Sequence, residues 1–224
     1  MLIVIEGIDG SGKATQTKLL VEHLRREHYP VETLDFPQYR ANFFGRLARR
    51  YLDGEFGPPT AVNPYLASTL YALDRWESSS IIRQWLETGH AVILDRYVES
   101  NLIHQAAKVA AAEQAEFSAW LLTMEYQVLH LPKPDLPIFL HLPMQVAYQL
   151  LRPRNYSLDG HERELQHLEA AERMCLKLAQ EHGWSTVECT DGGRLLPPEV
   201  IHQRVWESVR KKFGLPPDLS LSVK

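Results

Sequence analysis

The sequence lacks long apolar runs, metal-type cysteine spacing and an excess of basic residues. No apolar run approaches the roughly 18 residues of a membrane span, and the charged, glycine-rich start is unlike a signal peptide. We therefore expect a cytoplasmic protein with no membrane partner. Cys175 and Cys189 lie in apolar-patterned segments, which predicts buried packing residues rather than a disulfide. The formal net charge of -4 argues against a nucleic-acid partner, so a phosphate site requires Lys and Arg to be concentrated locally.

The start of the chain has the pattern of a phosphate-binding loop. Residues 2–5 are apolar and mostly β-branched, which suits a buried strand. The glycines that follow allow a tight turn whose N–H groups point inward at an anion, and Lys13 adds a charge at the start of a helix. The pattern G-x-x-x-x-G-K predicts a nucleoside triphosphate site at Gly7, Ile8, Asp9, Gly10, Ser11, Gly12, Lys13, Ala14 and Thr15. A glycine-rich turn without a ligand is the alternative.

Ala14 departs from this pattern. The residue after the Lys is usually Ser or Thr, whose hydroxyl binds Mg²⁺. Here Thr15 follows one residue late, so we expect Mg²⁺ to depend more on nucleotide oxygens, water, Asp9 or Asp95, with Thr15 as a possible substitute ligand.

The remaining pattern predicts one α/β domain. Five candidate strands alternate with helices, and most are continuous apolar runs, which favours a parallel sheet covered on both faces. We expect a domain over residues 1–214, a loop or lid near 152–162 and a polar tail over 215–224. The first three strands end at Gly7, at Phe36-Pro37 and at Asp95-Arg96, and strand ends of this kind meet at one edge of the sheet.

Several residues at this edge have two interpretations. Asp95 suits a Mg²⁺ contact or a helix cap, and Arg96 suits a phosphate contact or an ordinary surface position. Asp74-Arg75, inside a long helix, indicates by itself a solvated charged face. Phe36 and Tyr71 by themselves suit core packing.

A polar segment near the end of the predicted domain contains two arginines. Arg152-Pro153-Arg154 begins a Pro- and Gly-interrupted stretch between two helical patterns. Such a segment is either a plain charged loop or a lid that closes over a phosphate.

Taken together, the motifs resemble those of the thymidylate kinase family over nearly the whole length of the chain. They occur in the family's order and at about its spacing. The segments that carry the resemblance are Glu6-Gly7-Ile8-Asp9-Gly10-Ser11-Gly12-Lys13, Phe36-Pro37-Gln38-Tyr39, Tyr71-Ala72-Leu73-Asp74-Arg75, Asp95-Arg96-Tyr97 with Ser100-Asn101, Leu131-Pro132-Lys133-Pro134-Asp135, and Asp159 with Glu162.

The resemblance implies a P-loop fold of the nucleoside-monophosphate-kinase type, with a five-stranded parallel sheet flanked by helices. It implies transfer of a phosphoryl group from ATP to dTMP with Mg²⁺, in the pathway to dTTP, by a homodimer. The dimer would form through helices between Ser100 and Val128. Kinases of another pyrimidine nucleotide, and a nucleotide-binding homologue with impaired catalysis, are the alternatives.

The resemblance also implies a role for each matching residue. Phe36 and Tyr71 would flank the thymine, and Arg75 and Asn101 would contact its polar edge, with Ser100 nearby. The phosphates would be held by Lys13 on the donor side, by Tyr39 and Arg96 on the acceptor side, and by Arg152 and Arg154 from the lid. Asp9 would contact the sugar or the metal, and the implied metal contacts are Asp9, Asp95 and Glu162.

Within the family, this chain resembles the members that keep catalytic arginines in the lid, because Gly10 occupies the loop position where other members have Arg. Gln38 stands where an Arg is common. His104 stands where some relatives have a Tyr near the sugar, which leaves the rejection of ribonucleotides open.

Overall fold

The computed structural model describes residues 1–151 and 165–216. Its main sheet is parallel, with five strands in the order β2-β3-β1-β4-β5. The strands of this sheet are β1 (Leu2–Glu6), β2 (Val31–Asp35), β3 (Ala91–Asp95), β4 (Leu136–His141) and β5 (Ser185–Glu188). The predicted five-stranded parallel sheet is therefore confirmed.

Helices connect the strands and cover the sheet. They are α1 (Lys13–Arg26), α2 (Phe43–Leu52), α3 (Pro64–Glu87), α4 (Val98–Ala106), α5 (Gln114–Leu122), a π-helix (Thr123–Val128), α6 (Met144–Leu151), α7 (Leu165–His182) and α8 (Pro198–Phe213). A small antiparallel pair, β6 (Thr190–Asp191) and β7 (Arg194–Leu195), follows the sheet and was not predicted.

The hydrophobic core lies on both faces of the central strands. β1 is completely buried, and it pairs with β3 on one side and with β4 on the other. Since a strand covered on both faces needs apolar side chains at every position, the continuous run Leu2 to Ile5 has the composition this position requires. The buried Glu6 at its end is the exception, and it belongs to the site described below.

The strand order brings three loop regions together. β1 and β2 lie on either side of β3, so the carboxyl ends of these three strands are neighbours. They carry the phosphate loop, the Phe36-Pro37 turn and Asp95-Arg96, as expected. The peptide bond between Phe36 and Pro37 is cis.

One stripe of apolar residues is only partly buried. Phe117, Leu121, Met124 and Val128 are spaced as one helical face, but Val128 is 66% exposed and Glu125 is fully buried. The cause is the π-helix, in which the N–H of Leu129 bonds to the carbonyl of Met124. Because this i→i+5 turn is wider than an α-turn, Val128 leaves the inward face that Leu121 and Glu125 share.

Both cysteines are buried free thiols, as predicted, and burial raises the pKa of Cys175. Among the helices of the described residues, none combines the length and apolar character that a membrane crossing demands.

Candidate active site

The phosphate loop folds around the ammonium group of Lys13. Its Nζ donates to the carbonyl oxygens of Gly7 and Ile8, both at 3.0 Å, and lies 3.4 Å from Oδ1 of Asp9. Burial, together with the charge of Arg96, lowers the pKa of Lys13, while Asp9 and Asp95 raise it. Lys13 therefore lies inside the loop, next to Asp9, which also contacts Arg96 after the end of β3.

Gly7 has a packing role in this loop. A Cβ atom added there would lie 2.8 Å from the carbonyl oxygen of Leu140 and 2.5 Å from Oγ of Ser11. Backbone cannot withdraw as a flexible side chain can, so only glycine lets the loop pass this close to β4. Neither Gly7 nor Ile8 lines the two cavities described below, and their part in binding a nucleotide stays a prediction.

Asp9 connects the loop to the end of β3. Its Oδ1 forms an ion pair with Nη2 of Arg96 in addition to the contact with Lys13. Nη1 of Arg96 lies 3.4 Å from Oγ of Ser100 and 3.2 Å from Nε2 of His104. The backbone of Arg96 is left-handed, with φ of 66°, a conformation that costs energy in a residue with a side chain and that clusters at functional sites.

A cavity of about 250 Å³ opens beside Arg96. Its lining combines aromatic and aliphatic side chains with charged and amide groups. Its lining contains all of the residues predicted to bind the acceptor nucleotide: Asp9, Phe36, Tyr39, Tyr71, Arg75, Arg96, Ser100 and Asn101. Three further lining residues, Asp35, Leu52 and Gln105, were not singled out from the sequence.

A second cavity, of about 520 Å³, lies over the phosphate loop. It is lined by residues 10–16 of the loop and by apolar residues of α6, β7 and α8, among them Leu150, Leu195 and Ile201. The two cavities share a wall made of Asp9, Asp35, Phe36 and Arg96. The two cavities are therefore neighbours, and Asp9 and Arg96 lie between them.

Arg75 belongs to a buried polar network, contrary to the solvated face that its local sequence indicates. Arg75 is 2% exposed and Glu125 is fully buried. Nε of Arg75 donates to Oε2 of Glu125 at 3.0 Å, Nη2 donates to Oε1, and Nη1 donates to the carbonyl of Tyr97 at 3.2 Å. Nδ2 of Asn101 also donates to Glu125 Oε1, at 2.9 Å.

Asp74, also expected on a solvated face, is buried and supports the turn after β2. Its carboxylate accepts from the backbone N–H of Gln38 at 2.9 Å and from Nδ2 of Asn42 at 2.9 Å. Burial raises the pKa of Asp74, although these two hydrogen bonds lower it. A Cβ atom on Gly45 would lie 2.1 Å from the carbonyl oxygen of Gln38, so α2 also packs directly on this turn. Helix α3 thereby fixes the segment that carries Phe36 and Tyr39.

Asp95 has surroundings that suit a nearby cation. Burial raises its pKa, Lys13 and Arg96 lower it, and the carboxylates of Asp35 and Asp9 raise it again. Within residues 1–151 and 165–216, no group of three or more His, Cys, Asp or Glu side chains has the arrangement of a complete metal site. Mg²⁺ commonly uses only one or two carboxylates, with water and substrate phosphates as the other ligands. The residues present fit such a partial site.

Two buried glutamates support the start of α4. Glu6 accepts from the N–H of Tyr97 at 2.9 Å and from Oγ of Ser100 at 2.8 Å. Glu99 is 4% exposed, and burial, with a contribution from Glu6, raises its pKa to about 8. Glu6 thus positions Ser100 beside Arg96. Glu99 is absent from the lining of the cavity beside Arg96.

Glu99 makes a testable contribution to the pH dependence of stability. Because its pKa rises from 4.5 in the unfolded chain to about 8 in the folded protein, the folded state binds more protons between these values. The stabilisation is therefore complete below pH 4.5 and is lost as the pH rises through 8. We expect the free energy of unfolding to fall more steeply from pH 5 to pH 8 in the wild type than in Glu99→Gln, by up to about 1 kcal/mol per pH unit. Urea unfolding at both pH values measures this, and equal slopes would contradict it.

Comparison with known proteins gives the family. The profile of the family described as thymidylate kinase matches residues 5–195. The chain belongs to the thymidylate kinase family. It is 34% identical over 201 residues to a thymidylate kinase of Mycobacterium tuberculosis, covering 88% of this chain and 90% of that protein. It is 34% identical over 163 residues to a thymidylate kinase of Homo sapiens, covering 72% of this chain and 68% of that protein.

A solved structure agrees with this assignment. The thymidylate kinase of Candida albicans superposes with a TM-score of 0.74 at 25% identity, covering 96% of this chain and 93% of that one. The present member of the thymidylate kinase family thus has the P-loop kinase fold that its motifs predicted. Three of the predicted site residues, Arg152, Arg154 and Glu162, lie outside the described residues, as do the rest of the predicted lid and most of the tail.

Proposed function

We propose that this protein transfers the γ-phosphoryl group of ATP to dTMP, giving ADP and dTDP, with the two nucleotides meeting at Asp9 and Arg96. The observation that carries the proposal is the wall that the two cavities share. One cavity has the glycine-lined loop and Lys13 that suit a triphosphate. The other has aromatic walls and a buried Arg–Asn pair that suit a pyrimidine base and its polar edge.

The chemistry needs no general base. The second pKa of a phosphate monoester is about 6, so the acceptor phosphate is already largely a dianion at neutral pH. The protein has to bring two polyanions into line and stabilise the charge on the transferring group. Lys13 holds the donor phosphates, Tyr39 and Arg96 hold the acceptor phosphate, and Arg152 and Arg154 close over both from the lid.

The thymine would lie between Phe36 and Tyr71. The ring of Phe36 packs at 5.9 Å from that of Tyr97, and the ring of Tyr71 at 5.9 Å, edge-on, from that of Tyr51. Both aromatic walls are therefore held by further rings, which keeps the slot for a flat base open.

Asp95 and Asp9 are the described residues that would hold Mg²⁺, with Glu162 as a third contact from the lid. Bound there, Mg²⁺ would neutralise charge on the donor phosphates. The carboxylates of Asp35 and Asp9 near Asp95 support this assignment, because a cation there would offset their mutual repulsion. Since Ala14 provides no hydroxyl, most other ligands would be water and phosphate oxygens.

We further propose that the chain is a single kinase domain over residues 1–214, works in the cytoplasm and forms a homodimer through helices between Ser100 and Val128. Exposed apolar side chains support the dimer: Val128 and, on α3, Leu66 are each 66% exposed. They lie on elements next to a ring cluster of Tyr65, Phe117 and Trp120. Sedimentation equilibrium measures the mass directly, and a monomer at micromolar concentration would contradict the dimer.

The activity is tested by coupled measurement of ADP release with dTMP, dUMP, dCMP or thymidine as acceptor, with and without Mg²⁺. We expect the highest kcat/KM with dTMP and no turnover without Mg²⁺. If another acceptor gave a higher kcat/KM than dTMP, that acceptor would be assigned as the substrate in place of dTMP. Tight ATP binding without dTMP-dependent ADP release would instead indicate a regulatory nucleotide-binding protein.

A further inference from the structure

Glu125 lies behind the acceptor cavity and joins the two side chains assigned to the polar edge of the base. It is fully buried in the π-helix and is absent from the described residues that line the cavity. Its Oε1 accepts from both Arg75 and Asn101, and its Oε2 accepts from Nε of Arg75. One carboxylate therefore orients both side chains.

The contacts of Asn101 fix the orientation of its amide. Nδ2 donates to the carbonyl of Ser68 at 3.0 Å and to Glu125 at 2.9 Å. A flipped amide would place Oδ1 against these two acceptors, so the carboxylate and the carbonyl together exclude it. Asn101 lines the cavity, and its buried Oδ1 has no hydrogen-bond partner within the part of the chain that the structure describes. Oδ1 is thus the atom of the Asn101 amide that is left to accept a hydrogen bond from a base.

Arg75 presents donors at the same place. A guanidinium has five N–H groups, and three of those of Arg75 are used by Glu125 and the carbonyl of Tyr97. The other two have no acceptor among the described residues, and Arg75 lines the cavity. The carboxylate also balances the charge of Arg75, so this end of the cavity suits a neutral base.

We propose that Glu125 is the positioning residue that makes the site select a base with an N3–H donor and a C4 carbonyl over one with an N3 acceptor and a C4 amino group. This rests on the proposed function. Thymine and uracil offer the N3–H to the Asn101 oxygen and the carbonyl to Arg75. Cytosine sets an acceptor against the Asn101 oxygen and a donor against Arg75, and a site built around such hydrogen bonds rejects a mismatched partner strongly.

The substitution Glu125→Gln tests the proposal. The amide retains one acceptor oxygen and replaces the other with an NH2 donor, so it cannot accept all three hydrogen bonds that the carboxylate accepts from Arg75 and Asn101. Either Nε of Arg75 loses its acceptor, or the Asn101 amide rotates and directs Nδ2 toward the base. We expect kcat/KM for dTMP to fall about 10- to 100-fold, mainly through KM, and the dTMP/dCMP ratio of kcat/KM to fall at least about tenfold.

The nucleotide dUMP separates positioning from a general structural defect. Uracil has the same polar edge as thymine and lacks only the methyl group. The dTMP/dUMP ratio should therefore stay within about twofold of the wild type while the dTMP/dCMP ratio collapses. Glu99→Gln, which neutralises another buried glutamate of the neighbouring helix α4, is the matched control and should change neither ratio.

Glu125→Asp provides a second variant that keeps the buried charge pair. Its carboxylate is shorter by one methylene and cannot reach both partners, so both dTMP selectivity over dCMP and dTMP affinity should fall, by less than in Glu125→Gln. If Glu125→Gln does not fold, the dTMP/dCMP ratio of kcat/KM in Glu125→Asp tests the proposal instead. A folded variant whose kcat/KM falls equally for dTMP, dUMP and dCMP, or does not fall, overturns the proposal. A wild type that does not use dTMP at all overturns the proposed function instead.

Discussion

Replacement of Arg96 by Ala should lower kcat/KM for dTMP by about 10²- to 10³-fold. Arg96 lies in the wall between the two cavities, paired with Asp9 and close to Ser100. In our proposal it binds the acceptor phosphate and holds it toward the donor. Loss of a buried charged contact of this kind costs about 2–5 kcal/mol, which corresponds to the expected decrease in rate. Steady-state kinetics with dTMP varied at saturating ATP measure it.

Two further substitutions at Arg96 separate catalysis from folding. Its left-handed backbone favours glycine, so Arg96→Gly should be more stable than Arg96→Ala by about 1 kcal/mol and equally inactive. Arg96→Lys keeps a charge and loses the paired guanidinium contacts, so it should recover only part of the activity. If a folded Arg96→Ala enzyme kept kcat/KM within threefold of the wild type, the assignment of Arg96 to the acceptor phosphate would be wrong.

Replacement of Arg152 and Arg154, which we propose act from a lid, by Ala should lower kcat by about 10³-fold and leave dTMP affinity within a few-fold. An arginine supplied to a transferring phosphoryl group acts on the transition state, and Gly10 leaves the phosphate loop without one. Pre-steady-state turnover gives the rate of the chemical step, and calorimetry gives the affinity for dTMP.

The double variant Arg26→Ala/Arg173→Ala is a control, because both arginines are exposed and lie on α1 and α7, away from the two cavities. It should keep the wild-type kcat. An unchanged kcat in the lid variant, or a loss that is confined to dTMP binding, would show that the transferring group is stabilised from elsewhere.

The sequence was sufficient to predict the sheet and the positions of its chemistry. Fully buried strands need continuous apolar runs, and the polar residues that end them stand out for that reason. Gly7 to Lys13, Phe36 and Arg96 could be placed at one edge because parallel strands share their carboxyl ends. Their convergence on two cavities with a common wall agrees with that prediction.

The supporting residues could not be predicted in the same way. Asp74 and Arg75 have the local sequence of an exposed face, and only the packing of α3 against the turn after β2 and against the π-helix buries them. Glu125 is four residues after Leu121, on the same helical face, and this spacing was the available signal. Its charge obscured that signal, because a glutamate is rarely fully buried unless it is paired.

The role of Gly45 also depends on tertiary structure. In sequence it is one small residue inside a predicted helix. A Cβ atom on residue 45 would lie 2.1 Å from the carbonyl oxygen of Gln38, so this close packing requires glycine. No local sequence pattern predicts the contact between α2 and the turn that precedes it.

A crystal structure with dTMP and a non-hydrolysable ATP analogue would show whether the two nucleotides meet at Asp9 and Arg96. We expect Lys13 to contact the donor phosphates, Arg96 the acceptor phosphate, and Arg75 and Asn101 the polar edge of thymine. The terminal phosphate of the analogue should lie in line with the acceptor phosphate, across the wall formed by Asp9 and Arg96. Nucleotides bound with Lys13 and Arg96 directed away from both would contradict it.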